Sequence, residues 1–313
     1  MGSDIAETAT IGIAGAGVIG ASWATCFLAH GFAVRSWDPL DEDGEYIQAF
    51  VARSIDDVPG CWPEGERGTL TVHPDIATME MGCDMIIENA PERLETKVDL
   101  LAHIDRVAGP HVIIASSTSS LLLSDISRDC EHKERVVISH PFNPPHMLPL
   151  VEMFGIDQHH VDHAARLFRG AGKHPVVMKK EMTGHITNRL TSALFREALY
   201  ILEQGVATAE DIDACIANGP GVRWALMGPF MSYHLSGGPG GIAHYLKHLG
   251  PSQVHRWKDH GTPDMTDEFV AHVIDEVMQS TDGRSVDEIA AWRDAGLKGV
   301  LDVKQNLKYA DED

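Results

Sequence analysis

Nowhere does the chain of 313 residues hold an apolar run long enough to cross a bilayer, which excludes a membrane-spanning reading. Residues 1–10 (MGSDIAETAT) lack the charged and apolar regions of a secretory leader, and Ala6 stands where a myristoylation signal needs Ser or Thr. Cysteine is scarce: five residues, at 26, 61, 83, 130 and 215, odd in number and without a CxxC pair. That pattern argues against a disulfide framework and a zinc site, and the expectation is reduced thiols in a cytoplasmic protein with no metal. Basic residues are outnumbered, 25 Lys and Arg against 46 Asp and Glu, for a formal net charge of −21. A nucleic-acid partner would need a basic face, so that class is excluded too, while a small-molecule substrate is not. Internal repeats and low-complexity tracts are absent.

What remains is an ordinary globular composition, 43% hydrophobic, at a length that suits two domains. Residues 9–15 (ATIGIAG) read as a buried strand, followed by a glycine turn, a helix to about His30, and a second strand over 32–37 ending at Asp38. Further strands are expected at 84–89, 112–117, 135–139, 149–154 and 174–178, with helical patterns between several of them, notably 94–107 and 160–171. This alternation predicts a Rossmann-type, doubly wound and largely parallel sheet. Strand signals stop near Thr183. Ile186, Leu190, Leu194 and Ile201 then follow helical spacing, and Thr208-Ala-Glu-Asp211 resembles a capping box opening the next helix. The expected domains are 1–183, α/β, and 184–313, all helical.

Gly15-Ala16-Gly17-Val18-Ile19-Gly20 fits GxGxxG. Alone this is a weak signal; after a strand, before a helix, and with an acid ending the next strand, it is a dinucleotide fingerprint. Gly15 permits the turn, Gly17 lets the amides of the Gly17–Ile19 segment approach a pyrophosphate, and Gly20 lets helix and strand pack closely. Asp38 is placed to accept ribose hydroxyls and to repel a 2′-phosphate, so NAD is expected over NADP. FAD shares the fingerprint, but a nicotinamide enzyme better suits the helical second half and the histidine that follows.

The stretch SHPFNPPHMLPLVEM, residues 139–153, sets His140 after an apolar strand and Glu152 twelve residues later in another. Oxidising an alcohol needs a base for the hydroxyl proton while hydride leaves the same carbon. Histidine, with an ordinary pKa of about 6.5, suits that task near neutrality, and a carboxylate can fix its tautomer and support the imidazolium. A hydroxyl and an amide should hold the substrate oxygen; residues 115–120 (ASSTSS) and Asn188 are available.

These residues carry a family resemblance. Thr118-Ser119-Ser120, His140-Pro-Phe-Asn143-Pro144, Leu150-Val151-Glu152 and Asn188-Arg189-Leu190, in this order, resemble the L-3-hydroxyacyl-CoA dehydrogenase superfamily over essentially the whole chain. The resemblance implies catalytic roles for Ser119, His140, Glu152 and Asn188. It also implies contacts of Glu92 and Lys97, in a Pro-Glu-x4-Lys context, near the cofactor ribose and nicotinamide. A homodimer formed through the helical region is implied as well, in keeping with its apolar stripe.

One position departs from the acyl-CoA pattern: Ser117 stands where those members commonly carry Asn. With HPFNPP at 140–145 and GPGVRWALMGPF at 219–230, the chain is more similar to the lambda-crystallin/L-gulonate 3-dehydrogenase and L-carnitine dehydrogenase branch, whose members oxidise small free 3-hydroxy acids. Charge points the same way: residues 39–72 hold eight acids against Arg53 and Arg67 and no lysine, a surface that would repel the phosphates of CoA. A free acid needs a carboxylate anchor, for which Arg223 is the first choice and Arg189 the second. Ser117, Asn143, Arg223 and Trp224 are thus the expected substrate contacts, with Trp224 among the aromatics that could receive a quaternary ammonium. Two other readings stay open: a 3-hydroxyacyl-CoA dehydrogenase, and a non-catalytic NAD-binding structural protein.

Overall fold

A computed structural model of the chain describes residues 9–61 and 63–307; the leader and myristoylation expectations for residues 1–8 fall outside them. The chain divides into two compact units, Met1–Asn188 and Arg189–Asp313.

The first unit runs β1 (Thr10–Ala14), α1 (Val18–Ala29), β2 (Ala33–Trp37), α2 (Glu45–Ser54), β3 (Leu70–Val72), α3 (Ile76–Met79), β4 (Met85–Glu88), α4 (Leu94–Val107), β5 (Ile113–Ser116), α5 (Leu123–Ile126), β6 (Val136–Pro141), β7 (Leu150–Gly155), α6 (Gln158–Gly170) and β8 (His174–Val177). The strands form one sheet in the order β3-β2-β1-β4-β5-β6-β7-β8. Every neighbouring pair is parallel except β6 and β7. This is the doubly wound α/β architecture expected from the alternating pattern.

Strands buried on both faces read as unbroken apolar runs, and period-two geometry sorts their side chains between two cores. Ile11, Ile13, Met85, Ile87, Ile113 and Val137 face one cluster, with Trp23 and Phe27 of α1 and Phe168 of α6. Ile86, Ile114, Val136 and Ile138 face the other, with Leu101 and Ile104 of α4. Helix α1 is apolar almost all round because it is buried almost all round. Its Trp23 ring lies 5.1 Å from that of Phe168, centroid to centroid, which locks α1 to α6 over the sheet.

Strand β3 is not legible from sequence. Three residues of mixed polarity at the sheet edge pair only with β2, too short a span for any period to register. The acidic segment around α2 is solvated: six of its eight acids, Glu42, Asp43, Glu45, Asp56, Glu64 and Glu66, are exposed, while Ile47 and Phe50 turn inward.

Helix α7 (Thr187–Glu203) crosses into the second unit, which continues as α8 (Ala209–Asn218), α9 (Pro220–Trp224), α10 (Pro229–Ser236), α11 (Gly241–His248), α12 (Gly250–Asp259), α13 (Asp267–Ser280) and α14 (Val286–Asn306). Thr208 does cap α8, accepting the Asp211 N–H, but Asp211 takes the Thr208 hydroxyl at 2.8 Å. Aspartate is one methylene shorter than the glutamate of a reciprocal box, and that box occurs instead at Ser285 and Glu288 on α14. The buried apolar cluster here is small, Leu199, Leu202 and Phe269. Of the stripe that sequence placed along this segment, Ile186, Leu190 and Leu194 are 44%, 59% and 41% exposed and Ile201 is half-buried.

Gly20 is the tightest point beside the nucleotide turn. A Cβ there would sit 1.8 Å from the Gly15 carbonyl oxygen, whereas one at Gly17 would meet nothing within 4 Å. Gly20→Ala should therefore push α1 off the sheet and cost about 1–3 kcal/mol of stability, as overpacking does, with Gly17→Ala close to wild type. Thermal melts of both variants check this; equal melting of Gly20→Ala and the wild type would refute it.

Candidate active site

The C-terminal ends of β1, β4, β5 and β6 border a cavity of about 1230 Å³, at the switch point where doubly wound sheets take ligands. Gly15, Gly17, Val18, Ile19, Asp38, Glu92, Lys97, Ser117, Ser119, His140, Asn143 and Asn188 all line it. Gly20 lies beneath the glycine turn and Glu152 behind His140. Arg223 and Trp224 belong to the second unit, where they end α9 with exposed side chains.

At the turn, Gly15 adopts a left-handed φ of +97° and its N–H donates to the Trp37 carbonyl at 2.8 Å. Gly17 is the N-cap of α1, with no capping side chain and no acid in the first turn. The positive end of the helix therefore opens onto the cavity, with room at Gly17 where a side chain would otherwise stand. These features fit a dinucleotide pyrophosphate. Asp38 accepts the Ala16 N–H at 2.6 Å on one oxygen and the Leu40 N–H at 2.7 Å on the other. Each oxygen keeps a second lone pair, so the carboxylate that braces the turn can also accept a ribose hydroxyl.

On the far side, His140 and Glu152 are register partners across the antiparallel pair β6–β7. Directly opposed residues share a face, and Nδ1 of His140 meets Oε2 of Glu152 at 2.9 Å, both side chains buried. The other oxygen of Glu152 accepts the N–H groups of Ile186 and Thr187, each at 2.9 Å, where α7 begins. Burial opposes ionisation of Glu152, but these hydrogen bonds and the imidazole outweigh it and hold its carboxyl below the usual range.

Glu92 organises the serine loop. Its Oε1 accepts from Thr118 Oγ1 (2.7 Å), the Ser119 N–H (2.8 Å) and the Ser120 N–H (2.9 Å), and the Ser119 and Ser120 hydroxyls lie 3.1 Å away. Burial pulls its carboxyl up and these donors, with Lys97, bring it down to a net value below normal. Lys97 forms part of the wall, but its buried ammonium donates to both oxygens of Glu88 (2.9 and 3.1 Å) and to the Ala90 carbonyl. Ser117 donates to Asn89 and accepts from the Trp23 indole. The Asn188 amide donates to the Ser119 carbonyl at 2.9 Å.

Several supporting residues escaped the sequence reading. Ser22 on α1 bonds His146 through both ring Nδ1 (2.8 Å) and backbone N–H (2.9 Å). Buried Lys173 donates to the Pro145 and Leu148 carbonyls, so the loop carrying Phe142 and Asn143 is held at several points. Ser22 and His146 are 124 residues apart, a separation at which no local pattern announces a partner. His185, too, packs on the His140 ring unannounced.

A glycine-turn dinucleotide site facing an imidazole–carboxylate pair defines an NAD-dependent oxidoreductase acting on a CH–OH group. Comparison with known proteins agrees. Residues 10–182 match the 3-hydroxyacyl-CoA dehydrogenase, NAD binding domain, and residues 184–261 the 3-hydroxyacyl-CoA dehydrogenase, C-terminal domain. The chain is 39% identical over 299 residues to L-carnitine dehydrogenase of Streptomyces coelicolor, covering 92% of each protein. To that of Pseudomonas aeruginosa it is 37% identical over 311 residues, covering 98% of this chain and 97% of the other. A solved structure of 5-formyl-3-hydroxy-2-methylpyridine 4-carboxylic acid 5-dehydrogenase, described as an NAD+ dependent dismutase, superposes with a TM-score of 0.82 at 26% identity, covering 96% of this chain and 99% of that one. The chain belongs to the 3-hydroxyacyl-CoA dehydrogenase superfamily, in its carnitine dehydrogenase-like branch, and its cofactor is NAD.

Because Glu152 ionises below its usual value when folded, it adds stability that is present above about pH 4.5 and lost as pH falls through the folded value. Urea midpoints at pH 7 and pH 4 should show a smaller acid loss in Glu152→Gln than in the wild type. Equal losses would mean that the carboxylate carries no such linkage.

Proposed function

We propose that the protein oxidises the 3-hydroxyl of a small free L-3-hydroxy acid, of the L-carnitine or L-gulonate kind, to the 3-keto acid. The observation that carries this is the buried His140–Glu152 pair, which faces the same cavity as the glycine turn. NAD, when bound, supplies the hydride acceptor. Glu152 takes up the Nδ1 side of the ring, which leaves Nε2 of His140 to draw the substrate hydroxyl proton. The imidazolium then formed lies against a carboxylate already ionised by three hydrogen bonds, so little has to reorganise. Ser119, oriented by Glu92, and Asn188, tied to the same loop, flank the substrate oxygen.

The free-acid reading rests on likeness to L-carnitine dehydrogenases over more than nine-tenths of the chain and on the exposed acidic surface around α2. The second reading, a 3-hydroxyacyl-CoA dehydrogenase, draws on the 28% identity to a solved 3-hydroxybutyryl-CoA dehydrogenase of Escherichia coli, with a TM-score of 0.56 over 73% of this chain and 49% of that one. A purely structural NAD-binding role would not need Ser119, His140 and Asn188 at the cavity with Glu152 bonded behind the imidazole. Among the described residues no disulfide joins the cysteines, and no helix is long and apolar enough to cross a membrane. We infer a cytoplasmic setting on the same grounds.

NAD reduction with L-carnitine, L-gulonate, 3-hydroxybutyrate and 3-hydroxybutyryl-CoA tests the substrate class. Turnover should be fastest with a free acid, and a thioester preferred over all three would overturn the reading. For the mechanism, His140→Ala should lower turnover at least a hundredfold, in the range of a lost general base, with NADH affinity near wild type. Glu152→Gln should also slow turnover severely, and the double variant should be little worse than His140→Ala, because the two act as one unit. Multiplying losses, or more than about a tenth of wild-type turnover left in His140→Ala, would remove the imidazole from the chemistry. The exposed Leu190 and Leu194 of α7 support a homodimer. Light scattering at micromolar concentration should give twice the chain mass, and a monomer would count against it.

A further inference from the structure

The short segment 184–188 closes over the serine loop one residue at a time. The Gly184 N–H donates to the Ser120 carbonyl (3.3 Å), a ring nitrogen of His185 meets the Thr118 carbonyl (3.1 Å), and the Asn188 amide donates to the Ser119 carbonyl (2.9 Å). Between them, the N–H groups of Ile186 and Thr187 hold Glu152. To make these contacts the chain passes through two consecutive left-handed residues, Gly184 at φ +75° and His185 at φ +50°. Glycine adopts that conformation freely; histidine does so at a cost, and strain of this kind gathers where a side chain must be aimed.

His185 is aimed at the centre of the site. It is 1% exposed, and its ring centroid lies 5.1 Å from that of His140. A carbonyl oxygen only accepts, so Nε2, the atom facing Thr118, must carry a proton. The other ring nitrogen, Nδ1, is buried with no hydrogen-bond partner among the described residues. In the neutral ring Nδ1 is a bare lone pair. A second proton would bury an N–H with no acceptor and put a cation beside the imidazole that receives the substrate proton, which is costly on both counts.

We propose that His185 is a positioning residue for the reaction at His140, held as the neutral Nε2–H tautomer: its N–H fixes the Thr118 carbonyl, and its uncharged ring is the wall on which the His140 imidazole is set. The proposal rests on the reading of His140 as the base and extends it to the group behind that base. The charged and titratable neighbours come from three elements: His140 on β6, Glu152 on β7, and Glu92 in the loop after β4. Burial pushes the ring down from the usual histidine value; the Thr118 carbonyl opposes this, His140 adds to it, and the two carboxylates pull weakly the other way, for a net lowering. A neutral His185 lets the proton taken from substrate stay on His140 without a second cation alongside. It also keeps the loop that carries Ser119 in one position whether or not His140 is charged.

The test needs one readout that does not depend on turnover. Nitrogen-15 spectra of the NADH-bound protein labelled at histidine, with His185→Gln to assign the signal, should show His185 as the neutral Nε2–H tautomer from pH 6 to pH 8. A cationic ring or the Nδ1–H tautomer in that range would overturn the proposal, whatever becomes of the general-base reading. Kinetics supply the second arm. His185→Phe keeps a ring and deletes the donor; it should lower kcat about five- to tenfold, the scale of one buried neutral hydrogen bond, with NADH affinity and KM changed less than about twofold. His185→Gln keeps a donor where Nε2 stood and should recover most of that loss. A Phe variant as fast as wild type, or a Gln variant as slow as Phe, would refute the positioning role. Should the Phe variant fail to fold, the spectra and the Gln variant still decide.

Discussion

A single carboxylate buried between a strand pair and a helix start sets the terms for the rest of the site. Glu152 accepts from an imidazole and from two consecutive amides of the chain entering α7. A charged group in such a place is tolerated only when fully bonded, and removing any one donor would leave the others holding an under-compensated charge. The orientation of His140, the point at which α7 begins, and the location of Asn188 one residue further on are thus one constraint expressed three times.

Glu92 does the corresponding work on the other side of the serine loop. Its one oxygen gathers amides and hydroxyls of residues 118–120, while carbonyls of the same three residues are taken by residues 184, 185 and 188. Both edges of that short, partly buried stretch of backbone are therefore paired. The loop is held from two directions before any ligand arrives, which is the condition for a site to act with little reorganisation.

How much of this could be read in advance follows from sequence distance. The glycine turn, the strand before it and Asp38 lie within one local unit, and each residue type is dictated by backbone geometry that leaves few substitutes. The strands around His140 and Glu152 are apolar enough to announce themselves, so the two side chains could be set at strand ends with polarity as the only guide. Edge strand β3 could not be found, since Leu70–Val72 is too short to show a period. The Ser22–His146 bond, the grip of Lys173 on the loop after β6, and the tilted packing of His185 against His140 are tertiary meetings between residues unremarkable in their own neighbourhoods. Lys97 was legible as a polar residue of the site, but not the ion pair with Glu88 that takes up its ammonium, because that pairing depends on how β4 and α4 pack.

The one reversal of strand direction in the sheet has a consequence for how the site comes into being. Parallel neighbours are joined by long crossovers, so the dinucleotide half can form only after distant parts of the chain have met. Because β7 runs against β6, His140 and Glu152 are separated by just 12 residues and a single loop, and little chain entropy is spent in bringing them together. The proton-handling pair is thus assembled by a local hairpin, and the hydride-handling half by the global fold. Two chemical duties that must act in the same instant rest on pairings of very different reach along the chain, 12 residues across β6–β7 against the parallel joining of β1 to β4.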